Sequence, residues 1–349
     1  MSGGDASPLA VVMAGVIVVA LTAYVLLAGA DFGGGVWDLL ASGPRRTAQR
    51  NLIAHAIGPI WEANHVWLII VVVLLFSCFP PAFSRLAVVL HIPFTLLLIG
   101  IVMRGSAFTF RTYDSAHSAV QERWGRIFAI ASVVTPVLLG MAIGAIASER
   151  VGRAPVGVPG ASFADQYLAP WLTPFALCVG ALTLSLFAFL AAVYLTVEAA
   201  TDRALQEDFR RRALAAAAAV FATAAAALLA AHLTAPRVRD ALVMNRWAIP
   251  FHLATGAAAV AAIAALIRRA YHAARIAAAV QVILILSGWA ISQYPFIIPP
   301  DLTIRGAAAP RATLVLILTA LAAGALVLFP SLAYLFRVFK GRDALVAGR

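Results

Sequence analysis

The sequence predicts an all-α integral membrane protein of nine transmembrane helices, with the N-terminus outside and the C-terminus in the cytoplasm. Three observations carry that prediction. Hydrophobic residues make up 63% of the chain and charged residues 12%, with a mean hydropathy of +0.94. A soluble protein would need charges at about a quarter of its positions to cover its surface. Nine windows of about 20 mainly apolar residues are each long enough to cross the hydrocarbon core as a helix. Finally, the odd-numbered connections between those windows, counted with the window ends beside them and the C-terminal tail, hold 18 of the 26 Lys and Arg. The even-numbered connections, counted the same way, hold 8, and the segment before the first window none. Basic residues stay on the cytoplasmic side, and an odd number of spans requires the two ends to lie on opposite sides.

The first window, 8–29, has no basic residue before it, so it lacks the charged start of a cleaved signal peptide and reads as a retained helix. It leads into "AGADFGGGVWDLL", where Asp31 stands just before Gly33, Gly34 and Gly35. Such a run is a poor helix interior but permits close backbone approach. The second window, 54–79, is long, and Gly58-Pro59 either kinks it or marks the start of its buried part. The third, 85–103, ends at the cytoplasmic "RGSAFTFR". The fourth and fifth are 124–147 and 172–195. The sixth, 212–233, contains the alanine-rich "ALAAAAAVFATAAAALLAA", a composition for close helix packing. The seventh is 247–267 and the eighth 276–294. The eighth closes in "GWAISQYPFIIPPDLTI", whose Gln293, Tyr294 and Pro295 make either an interfacial turn or a loop contacting quinone or another subunit. The ninth is 312–336. Cys78 and Cys178 read as small core residues, without the spacing of a redox or metal pair. The net charge of +11 follows from cytoplasmic arginines facing anionic headgroups, so no nucleic-acid partner is implied.

Ionisable groups at membrane depth are functional candidates. In "IGPIWEANHVWLII", His55 and Glu62 are seven residues apart and Glu62 and His65 three apart, which on one continuous helix gives one face. That stripe rises about 15 Å from the cytoplasmic side. Pro59 cannot donate to the carbonyl of His55, which frees an acceptor beside the stripe. Two readings stand: Glu62, Asn64, His65 and His55 pass protons inward, or they fix helix packing by hydrogen bonds. Asp31 likewise either feeds Glu62 or pairs with Arg104 or another cytoplasmic arginine. The glycine run follows no strand, so it is not a nucleotide loop. Of the seven histidines, at 55, 65, 91, 117, 232, 252 and 272, only His65 and His91 suggest a haem-binding pair. Their depths differ, so no metal or haem site is expected in this chain.

These stretches together resemble subunit II of the cytochrome bd-type quinol oxidases. "GADFGGG" is similar to that family's G-x-D-x-G-x-G segment, and "IGPIWEANHVWLI" to its P-x-W-D/E-x-N-x-V/T-W-L signature. "RGSAFTFR", "GW…YPFIIPP…LTI" and "FPSLAYLFRVFKGR" follow in the family's order. The resemblance implies two four-helix bundles plus a ninth helix, divided at 1–150, 151–300 and 301–349. It implies a bacterial inner-membrane terminal oxidase that reduces oxygen to water with electrons from quinol. Two b-type haems and one d-type haem would belong to subunit I. This chain would complete the complex without haem and conduct cytoplasmic protons through Glu62 and Asp31. Trp61, Asn64 and Trp67 fall on motif positions, with Pro59, Arg104 and Arg111 as packing positions. A structural quinone, small single-helix subunits and lipid are further partners the resemblance leaves open.

The chain also departs from that pattern. Thr109 stands where many members place a carboxylate, so no second acid is expected there, and "VVVLLFSCFP" replaces a glycine-containing stretch. Two other classes fit the polar helices: a proton-coupled secondary transporter using Asp31 and Glu62, and a purely structural membrane subunit.

Overall fold

The computed structural model describes residues 7–58, 61–113 and 118–346. Among these, nine helices are long and apolar enough to cross a membrane. The protein is a multi-pass membrane protein, and the number of spans matches the sequence expectation; their ends do not.

Helix α1 (Ser7–Leu39) continues ten residues beyond the predicted end, straight through the glycine run. Glycine weakens an isolated helix, but here it permits contact. A Cβ on Gly33 would run into the backbone carbonyl of Phe187, and one on Gly35 into the side chain of Ser132.

The long second window is two helices, α2 (Arg46–Ile57) and α3 (Trp61–Cys78). His55 and Glu62 therefore lie on different helices. Both are exposed, whereas His65 is half-buried, so the three do not share one environment.

The third window also divides, into α4 (Pro80–Val89) and α5 (His91–Tyr113). Two prolines start α4 at Pro80, where their missing N–H groups cost nothing, and Leu90 interrupts before α5 begins. Helix α5 then runs ten residues past the predicted end. Arg104 therefore lies within the helical interior, 1% exposed, and not at a cytoplasmic helix end. The physical reason lies on α1, where Asp31 supplies a neighbouring negative charge.

Helix α6 (Ser118–Ala147) leads through the short α7 (Arg150–Arg153) and α8 (Phe163–Tyr167) to α9 (Pro174–Glu198). Thr173 caps α9 by accepting from Ala176 N at 3.1 Å. From Leu186 to Val193 every residue of α9 is buried, the pattern of a helix enclosed on all sides. It packs against α1, α6 and α10 (Arg203–Thr234). Asp202 caps α10 through Ala204 N and Leu205 N, which starts that helix nine residues earlier than predicted.

Helices α11 (Pro236–Val243), α12 (Ala248–Ile267) and α13 (Tyr271–Gln293) follow, with α12 packed on α13. A small antiparallel hairpin, β1 (Phe296–Ile298) with β2 (Leu302–Thr303), occupies the stretch read as an interfacial turn. Helix α14 (Arg311–Val346) leans on α1 and α3 and is otherwise largely uncovered. One apolar core joins α1, α9, α10 and α13, and a second joins α1, α4 and the C-terminal half of α6 with the hairpin.

Candidate functional site

The polar interior is organised by α1. Tyr24, Asp31 and Asp38 are spaced seven apart, so they line one face, and all three are buried. Each meets a different neighbour. Asp38 accepts from Arg50 Nε and Nη2 of α2, at 3.1 and 3.0 Å. Asp31, 4% exposed, accepts a hydrogen bond from Asn64 Nδ2 at 2.7 Å. Tyr24 and Asp31 both interact electrostatically with Arg104 of α5.

Aromatic rings seal this row. The Arg104 guanidinium carbon lies 4.7 Å from the centroid of Phe32 and 5.1 Å from that of Phe128. Its Nε and Nη2 have no hydrogen-bond partner among the described residues. The His65 ring packs between Tyr24, Phe32 and Trp61, with centroids 5.8 to 6.4 Å apart, and its Nδ1 is buried without a partner among the described residues. Trp61 stacks toward Phe108 at 6.2 Å and fills the space over Gly105, where a Cβ would approach its ring to 2.9 Å. Trp67 packs against the same core.

Glu62 points the other way. Asn64 turns inward from α3, so Glu62, two residues earlier, is exposed. It shares its face with Val66, Ile69, Val73 and Phe76, exposed by 38 to 61%, at helical spacings of four and three. Among the described residues, this carboxylate heads an otherwise apolar wall. His55, at the end of α2, is also exposed. Pro59 lies outside the described residues, as do His117 and the side chain of Arg111.

The second candidate cluster is split. Gln293 is buried, and its backbone carbonyl accepts from Arg237 Nη2 at 3.3 Å. Pro295 anchors the hairpin by accepting from Ile304 N at 2.9 Å. Tyr294 is 55% exposed and lines a lateral cleft of about 920 Å³ between α1, α11 and α13. Burial pushes the Arg237 guanidinium below its ordinary range, and the nearby Glu149 carboxylate partly opposes that. Arg237 also lies 4.3 Å from the Phe296 ring centroid.

His65 and His91 do not come together as a haem-binding pair. His65 is enclosed by aromatic rings near the start of α3, and His91 sits at the start of α5 against Tyr167 and the Val88 carbonyl. Trp61, one turn before His65, packs over Gly105 of α5, and His91 lies 14 residues before Gly105 on that helix, about 20 Å away. Among the described residues no three His, Cys, Asp or Glu gather as a metal site.

Sequence reasoning missed Tyr24, Asp38 and Arg50. The seven-residue spacing through Asp31 was the signal that would have found the first two.

Comparison with known proteins adds an independent line. The family model described as cytochrome bd terminal oxidase subunit II matches residues 9–339. The chain is 29% identical over 125 residues to the cytochrome bd ubiquinol oxidase subunit 2 of Bacillus subtilis, covering 36% of each chain. It is 26% identical over 185 residues to the cytochrome bd-I ubiquinol oxidase subunit 2 of Escherichia coli, covering 51% of this chain and 45% of that one. The chain thus aligns with less than half the length of these curated relatives. The fold is similar to a chain of the bd oxidase from Geobacillus thermodenitrificans, with a TM-score of 0.78 and 23% identity over 95% of this chain and 98% of that one.

Proposed function

The chain belongs to the cytochrome bd terminal oxidase subunit II family, and from that premise we propose that it is the haem-free subunit of a quinol:oxygen oxidoreductase, passing protons through Glu62. The haems, two b-type and one d-type, belong in this reading to a partner subunit in a bacterial inner membrane. Quinol supplies the electrons and the partner reduces oxygen to water.

The observation that carries the reading is the outward face of α3. A carboxylate exposed to hydrocarbon costs several kcal/mol, and Val66, Ile69, Val73 and Phe76 continue its face as an uncovered apolar stripe. A protein partner seated there would shield Glu62 and bring it beside the partner's redox centre. His55, exposed at the end of α2, supplies the approach from the cytoplasm, and Asn64 and His65 back Glu62 from the inner side. Sheltered in this way, Glu62 would be the group that hands protons to the partner. Protons drawn from one side while quinol releases them on the other make the reaction electrogenic.

The proposal includes the cytoplasmic C-terminus, the external N-terminus, and two four-helix bundles divided near residues 150 and 300. The Tyr294 cleft is a candidate quinone or subunit contact, beside Gln293 and Pro295. Small single-helix subunits would add to the assembly.

Glu62→Gln keeps the shape and removes the titratable group. In the intact complex, purified by a tag on this chain, that variant is expected to keep its haem and lose at least about tenfold in oxygen consumption. Unchanged turnover at full haem content would remove the proton role.

A further inference from the structure

Arg104 is one of the largest fully buried side chains of the protein, 1% exposed. A guanidinium does not lose its proton in a protein, so a permanent positive charge sits between the rings of Phe32 and Phe128. Two of its nitrogens find no hydrogen-bond partner among the described residues. A buried charge in that position depends on a counter-charge. Among the described residues, three titratable groups from the packed helices face it: Asp31 and Tyr24 of α1, and His65 of α3. Tyrosine is neutral at ordinary pH, and a protonated His65 would add a second positive charge. Asp31 remains, 4% exposed and oriented by the 2.7 Å hydrogen bond from Asn64.

We propose that Asp31 is the fixed counter-ion of Arg104, tying α1, α3 and α5 together, and that it does not exchange protons during turnover. Protonating Asp31 would leave the guanidinium uncompensated inside the bundle, so the carboxylate is held as an anion by its position. The same tie sets the rotation of α3. With Asn64 held inward by Asp31, Glu62 is turned to the outer face. Asp31 is thus a positioning residue for Glu62, and only this last step rests on the proton role of Glu62.

Three variants of the full complex test it: Asp31→Asn, Arg104→Gln and the double variant. Each is purified through a tag on this chain and assayed for haem-loaded yield and for oxygen consumption per haem across pH. Each single change unbalances the pair, and the yield is expected to fall at least about tenfold. The double variant removes both charges; it is expected to recover most of the yield, with the turnover per haem and the pH profile of the unmodified complex. Asp31→Asn that assembles fully but is inactive overturns the proposal. So does a double variant that recovers haem but not turnover, or one that recovers no yield. Glu62→Gln, run alongside, reads separately: unchanged turnover there removes the Glu62 role and leaves the counter-ion assignment standing.

Discussion

Asn64 illustrates how much one side chain can decide inside a membrane protein. Its amide donates to Asp31 at 2.7 Å, and both groups are almost wholly buried. Asn64→Leu keeps the volume and removes the donor, leaving a carboxylate oxygen without that partner in an apolar interior. A buried group stripped of its partner costs about 1–3 kcal/mol. The purified complex is expected to melt several degrees lower, and an unchanged melting temperature would mean that the bond contributes nothing. Asp31, Glu62, Asn64 and His65 were all legible in the sequence, because a polar group within an apolar window stands out. Their directions were not. Which face of α3 turns inward is decided by partners on other helices, such as Asp31 for Asn64, and the sequence of α3 alone does not name them. Tyr24 and Asp38 were overlooked for the opposite reason: a tyrosine within a helix and an acid near a helix end both look ordinary until Asp31 is seen to lie midway between them.

At the scale of elements, the glycines separate close contact from open space. Gly33 lies where α1 crosses α9, and an added Cβ would strike the Phe187 carbonyl, which is backbone and cannot rotate away. Gly33→Ala is therefore expected to force the two helices apart, costing about 1–3 kcal/mol and lowering the recovered haem-loaded complex. Gly256, in the middle of α12, has nothing within 4 Å of the corresponding position. Gly256→Ala is expected to be neutral or to stabilise by about 0.5–1 kcal/mol, because alanine is the better helix former. Melting both variants in the same detergent checks the contrast, and equal effects would contradict the crossing geometry. The nine spans were readable from hydropathy, which depends only on composition. The helix ends were not, because local chemistry sets them: Asp202 caps α10 among charged residues that hydropathy excludes, and Leu90 divides α4 from α5 inside what reads as one window.

At the scale of the whole molecule, the face of α3 presents a polar group that the protein's own helices do not cover. Most of the exposed apolar area needs no partner, since hydrocarbon chains suit it well. The face of α3 differs because Glu62 heads it, and because Ile69 and Phe76, each about 60% exposed, continue it along the helix. Lipid and protein respond differently to added bulk: fluid chains make room for a larger apolar side chain, whereas an interface packed to protein density does not. Ile69→Trp therefore distinguishes the two without introducing a charge. If a haem-bearing subunit seats on this face, the haem recovered with the tagged chain is expected to drop several-fold, while the chain itself inserts and expresses normally. Full haem recovery in Ile69→Trp would place lipid against α3. Glu62 would then lack the shelter its proposed chemistry requires.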